Sequence, residues 1–282
     1  MTNDTKSNPL SGFFRQPAIY VELPSGGKFW DEDALEMPES GELPVFPMTS
    51  RDEITLRTPD ALLNGQGVVD VIHSCIPNIR NAWKMPSVDV DSVLIALRIA
   101  SYGHDMDFDN ECPHCQEQHT YSMDLRHLMG TIRCPDFDDV MEPTANLEIR
   151  FKPQKYFEIN RTGQANFEIA KLNDAIGGLP DGDQKNNQAM LQLSRMIELN
   201  QEVMAASTES ITASGEVVTD HQFILDFYKN IDSRMFNTIQ QHLMDKSKVA
   251  TVQPVPVTCQ SCEGKINLTI LFDYANFFVV GS

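Results

Sequence analysis

Two Cys-x-x-Cys turns, Cys112-Pro113-His114-Cys115 and Cys259-Gln260-Ser261-Cys262, limit what this chain can fold into more than any other feature. Each presents two sulfurs from a tight backbone corner, and each is flanked on both sides by residues that read as strand. Four soft, deprotonated ligands so arranged form the donor set of a tetrahedral structural zinc site. About 140 residues lie between the turns, far more than a compact zinc finger allows. A shared ion would therefore tie the middle of the chain to a segment near residue 260.

The flanks support that reading. After the first turn Tyr121, Met123 and Leu125 alternate with Thr120, Ser122 and Asp124, the period of a half-buried strand. Around the second, Val255 and Val257 lead in, and Ile266, Leu268, Ile270 and Phe272 run out along one face. Strand, turn and strand, twice over, predict a zinc-ribbon-like pair of hairpins with Cys112, Cys115, Cys259 and Cys262 as ligands of a structural Zn2+. His114, His119 and Cys134 are near enough in sequence to substitute, but lone histidines and cysteines are more often surface or core residues.

Two other readings of the cysteines meet objections. Cys-Pro-His-Cys is also a dithiol sequence of thioredoxin-fold oxidants, using Cys112 and Cys115, but there the motif begins a helix whose dipole favours the thiolate. Here strand periodicity follows, and the second turn would have no role. A zinc-ribbon nucleic-acid module would need a basic face, whereas the net charge of the 282 residues is -18, a field that repels phosphate backbones and anionic membranes. The amino terminus lacks the apolar run of a signal peptide, and no stretch reaches the length needed to span a bilayer. Maturation in a reducing cytoplasm follows as an expectation, with thiolate ligands favoured over structural disulfides.

The remainder predicts an α+β protein with a helical amino-terminal half and a helical insertion. Residues 1–50 read as an arm and an extended segment, with Ala18 to Leu23 a strand, Gly26-Gly27 a turn, and Leu43 to Met48 an edge or connector held extended by its prolines. Residues 51–103 read as helical. One helix starts at Thr58-Pro59-Asp60, a second carries Val68, Val71 and Ile72 to Cys75, and a third is capped by Asp89, carries Val90, Val93, Leu94 and Leu97 as a stripe, and ends at Gly103. Asp105, Asp107 and Asp109 open with calcium-loop spacing, but Asn110 and Gln116 stand where the glycine and bidentate glutamate belong, so they read as the wet face of a strand.

Residues 104–126 and 252–282 make the zinc-ribbon-like unit, and 127–251 a mostly helical insertion. Within it, 147–151 reads as strand, and the segment from Gln154 as helix with Phe157, Phe167, Ile169 and Leu172. Asn187 to Ala206 reads as a helix with Met190, Leu193, Ile197 and Met204 on or near one face, and Ser207 to Gly215 as a mobile polar loop. Asp220 and Asp232 cap two more helices, carrying Phe223, Ile224 and Phe227, and Met235, Phe236, Ile239 and Leu243. Catalytic patterns are missing: there is no HExxH, GxSxG or Walker loop.

Particular runs resemble a known family. Val45 to Thr49, Asp52-Glu53, Thr58 to Gly65, Ala96-Leu97-Arg98, Ser101-Tyr102-Gly103 and the first cysteine turn are similar to T-even-type bacteriophage baseplate hub and hub-assembly proteins. So are the closing Phe272 to Phe278 and Gly281-Ser282. The likeness covers roughly residues 40–130 and 252–282. It implies a non-enzymatic component or assembly factor of a contractile phage tail, made in the host cytoplasm, acting at the baseplate hub, oligomeric there or not, and contacting other baseplate and tail proteins. An apolar segment, Phe277 to Val280, either covers the chain's own core or docks onto a neighbour.

Overall fold

The computed structural model describes residues 8–58, 65–178, 180 and 182–270, and it is α+β. The helix start at Thr58-Pro59-Asp60, Phe272 and the apolar segment 277–280 fall wholly or partly outside the described residues. Two hydrophobic cores organise the rest.

The first core surrounds one helix. Strands β1 (Ile19–Glu22) and β2 (Glu42–Val45) form an antiparallel pair, with Val21 opposite Leu43. Pro44 is tolerated because this small sheet leaves one edge of β2 unpaired. Helix α1 (Ser50–Leu56) opens with a capping box in which the Thr49 N–H donates to Asp52 at 2.7 Å and the Asp52 N–H donates back to Thr49 Oγ1. Helix α2 (Gln66–Cys75) buries Val68, Val71, Ile72 and Cys75.

Helix α3 (Ser87–Tyr102) starts two residues before the expected cap, behind Pro86. Asp89 is not its cap but a fully buried side chain inside the first turn. It accepts from the Ser25 N–H at 2.9 Å, Ser25 Oγ at 2.6 Å and Trp30 Nε1 at 2.8 Å. The expected stripe is also too narrow a description. Val90, Val93, Leu94, Ile95, Ala96 and Leu97 are all buried, and a helix apolar almost all round belongs inside a core.

Two hairpins complete this core. Strands β3 (Asp105–Glu111) and β4 (Gln118–Asp124) pair antiparallel, with Asp105, Asp107 and Asp109 exposed as expected. The alternation stops at Leu125, which begins the short helix α4 (Leu125–Met129) behind an Asp124 cap. Strands β9 (Val255–Thr258) and β10 (Lys265–Leu268) form the second hairpin. Val252, Ile266, Leu268 and Ile270 are buried in the first core. Each such side chain contributes roughly 1.5–3 kcal/mol before chain entropy is subtracted, so apolar packing contributes to this long-range closure alongside the cysteine turns.

The second core lies mostly in the segment between the hairpins, joined from outside it by Val88 of α3 and by Phe29. Strands β5 (Met141–Thr144), β6 (Leu147–Phe151), β7 (Thr208–Ala213) and β8 (Glu216–Val218) form a four-stranded antiparallel sheet in that order. The expected loop at 207–215 is therefore mostly β7, an inner strand. Its small polar residues are buried because their hydroxyls find partners: Thr208 Oγ1 donates to the Met204 carbonyl at 2.8 Å and lies 2.8 Å from the Tyr228 hydroxyl. Helices α5 (Tyr156–Gly177) and α6 (Asp183–Ala206) form a long hairpin between β6 and β7. Helices α7 (His221–Asn230) and α8 (Ser233–Val249), capped by Asp220 and Asp232, cover the sheet with Ile224, Leu225, Tyr228 and Ile239. Among the described residues no helix is long and apolar enough to cross a membrane.

Candidate metal centre

The two cysteine turns are the tips of the β3–β4 and β9–β10 hairpins, and they share one backbone design. In each, the N–H of the first cysteine donates to the carbonyl five residues on, Cys112 to Glu117 and Cys259 to Gly264, both at 2.9 Å. The N–H four residues on returns to the first cysteine's carbonyl, Gln116 to Cys112 at 2.8 Å and Glu263 to Cys259 at 3.1 Å. Closing so tight a loop puts Gln116 and Glu263 in the left-handed region, with φ of 63° and 58°.

The tips face each other. Cys112 Sγ lies 3.7 Å from Cys262 Sγ, and Cys115 Sγ lies 3.7 Å from Cys259 Sγ. All four sulfurs fall within 4.8 Å of one another. Cys112 and Cys259 are buried, Cys115 is intermediate and Cys262 is exposed, so the cluster sits at the edge of the first core. These distances are far beyond the ~2.05 Å of a disulfide, and the four thiols form a set compatible with metal binding.

The electrostatics are those of sulfurs competing for protons. The N–H of Cys262, helped by that of Ser261 and by the Cys262 and Cys112 thiols, holds Cys259 down at about 6 against the cost of burial. The Glu117 N–H acts in the same direction on Cys115, but desolvation and the neighbouring sulfurs push that thiol up to about 12. One thiolate is favoured at the expense of the others, the pattern expected where negative sulfurs crowd together. The motif stands at hairpin tips, so Cys112 and Cys115 have no helix amino terminus behind them.

Of the possible substitutes, His114 is exposed, with Nε2 3.5 Å from the Lys265 carbonyl oxygen across the two tips. Its ring packs where a side chain on Gly264 would stand: a Cβ there would lie 2.7 Å from His114 Cδ2 and 3.3 Å from Cys262 Sγ. His119 offers a nitrogen within 4.8 Å of Cys115 and Glu117, and its Nε2 is buried without a protein hydrogen-bond partner. Cys134 is elsewhere, packed against the second core.

Sequence reasoning missed the surroundings of the sulfurs. Tyr121 looks like an ordinary core strand residue. Its phenol is buried beside the cluster, and burial followed by the charge of the four sulfurs raises its pKa. Ser261 Oγ donates to the Glu117 carboxylate, a hydrogen bond from tip to tip.

A family model described as T4 bacteriophage base plate protein matches residues 18–279. No curated protein and no solved structure matches the chain. Because the match runs across nearly all of the sequence and both hairpins, the chain belongs to the T4 bacteriophage base plate protein family.

Proposed function

We propose that this protein is a non-enzymatic structural part or assembly factor of the phage baseplate hub, braced by a zinc ion on Cys112, Cys115, Cys259 and Cys262. Family membership implies a baseplate role and contacts with other tail proteins. The observation that carries the metal is geometric. Sulfurs about 2.3 Å from a tetrahedral zinc stand about 3.8 Å apart, and the two cross-hairpin distances are 3.7 Å. In this reading residues 104–126 and 252–282 form the ribbon-like unit, and 1–50, 51–103 and 127–251 are the arm, helical segment and insertion around it. The ion supplies charge neutralisation and a rigid crosslink, while the chain's own residues fix the sulfurs.

Apparent zinc affinities of about 10–16 kcal/mol rival the whole stability of a domain, about 5–15 kcal/mol. Chelation should therefore loosen the hairpin pair. Elemental analysis of the purified chain should find close to one zinc per four clustered cysteines; well below that, the metal reading fails. The hub role is checked separately by recovering the protein with baseplate subunits from infected cells. A chain found free at every stage of assembly would contradict it.

A further inference from the structure

Helix α6 is turned partly inside out. Its buried Gln192 and less exposed Gln188 and Leu199 share one side, and Leu199 lines a groove with Ile169 of α5, which places α5 there. Gln192 Oε1 is buried with no protein hydrogen-bond partner. On the opposite side Met190, Leu193 and Ile197 are 70%, 57% and 49% exposed, while Leu191 and Met196, also exposed, lie off this face. Apolar side chains face outward where a self-sufficient hairpin would have placed them inward.

The outward stripe has a definite pattern. Asn186, Met190, Leu193, Ile197 and Asn200 follow one another at spacings of four, three, four and three, the seam of a coiled coil with a polar residue at each end. Continued one step, it reaches Met204, which is buried in the second core. At 100° per residue Ala189, Ser194 and Gln201 flank the stripe, whereas Lys185, Arg195, Glu198 and Glu202 fall on the other sides. Between Asn186 and Gln201 this face carries no charge, in a chain whose net charge is -18.

We propose that this stripe is the seam of a two-fold homodimer, α6 of one copy packing antiparallel on α6 of another. Three features select a second copy over a different protein. The stripe reads polar, three apolar, polar in both directions, so it complements itself under a two-fold axis. A seam without charges keeps like-charged surfaces out of direct contact, which two copies of so acidic a chain require. A partner chosen by charge would find nothing on this face to recognise.

Sedimentation velocity on the full-length, metal-loaded chain tests this across about 1–100 µM, the range expected for a small apolar seam. Wild type should pass from monomer to dimer, more readily as salt rises and screens repulsion between the acidic bodies. Because the altered side chains are exposed, a Leu193→Glu, Ile197→Glu double variant should keep its helix content and zinc but stay monomeric. Mixing Leu193→Glu chains with Leu193→Lys chains should restore association through opposite charges near the axis. A wild type monomeric throughout, a double variant that dimerises as strongly as wild type, or mixed chains that fail to associate would each overturn the proposal.

Discussion

Gln116 and Glu263 occupy equivalent places in the two cysteine turns, each four residues after the first cysteine, with φ of 63° and 58°. Neither residue type favours that conformation, so each turn holds backbone strain that its two loop-closing hydrogen bonds and the packing of its hairpin offset.

The strain predicts a substitution pattern. Gln116→Gly and Glu263→Gly should leave stability unchanged or raise it by up to about 1 kcal/mol, because glycine removes the Cβ clash while loosening the unfolded chain. Gln116→Val and Glu263→Val should each cost about 1–2 kcal/mol. Denaturant unfolding of the four variants checks both directions, and equal effects from Gly and Val would remove the conformational explanation.

Gly264 and His114 should be coupled. An added Cβ at 264 meets the His114 ring at 2.7 Å, and the ring must leave its place beside the Lys265 carbonyl. Gly264→Ala should cost about 1–2 kcal/mol, and much less in a His114→Ala background. A double-mutant cycle with additive losses would mean that the 3.3 Å approach to Cys262 Sγ, not the histidine, sets the cost.

Two carboxylates of the first core should respond to acid with opposite signs. For Asp89 burial outweighs the hydrogen bonds from Ser25 and Trp30, and its pKa rises. Asp52 is also desolvated, but the Thr49 N–H and hydroxyl, Ser74 and the Arg15 guanidinium together bring its pKa down. A raised carboxyl binds protons better in the folded state, so its contribution grows as pH falls from the folded value toward the unfolded one, near 4. A lowered one contributes fully above the unfolded value and loses that contribution as pH falls through the folded one. Between neutral pH and pH 3, the stability of wild type relative to Asp89→Asn should therefore increase, and relative to Asp52→Asn it should decrease. Denaturation midpoints measured across that range give both slopes.

The second core should be separable from the sulfur cluster. Ile239 is fully buried there, and Ile239→Ala should cost about 2–5 kcal/mol. Tyr228→Phe should cost only about 0.5–1.5 kcal/mol, because Thr208 Oγ1 keeps the Met204 carbonyl as its acceptor. Under the zinc site proposed above, metal content should stay at the wild-type level in both, and a loss of metal would mean that the cores are not independent.

What the amino-acid order revealed depended on whether the cause was local. The β3–β4 hairpin, the Asp220 and Asp232 caps and the four sulfurs were legible because alternation, capping residues and Cys-x-x-Cys spacing act over a few positions. Strand β7 was not, since Thr208 and Ser210 look like loop residues until Tyr228 and the flanking strands enclose them. Asp89 has the residue type and position of a cap, and its partners Ser25 and Trp30 lie some sixty residues away. Tyr121 beside the sulfurs, and Glu117 bonded to Ser261, likewise require the two hairpins to have met.

The second core contains described residues from Phe29 to Ala250, whereas the first also needs Val252, Cys259, Ile266 and Ile270. A ribosome therefore delivers every described residue of the second core before it delivers the second cysteine turn. Until Cys259 and Cys262 have been made and have left the exit tunnel, the first core stays open along one seam, with half of its sulfur cluster missing. Any neighbour that recognises the closed form is thereby blind to a nascent chain stalled before that point.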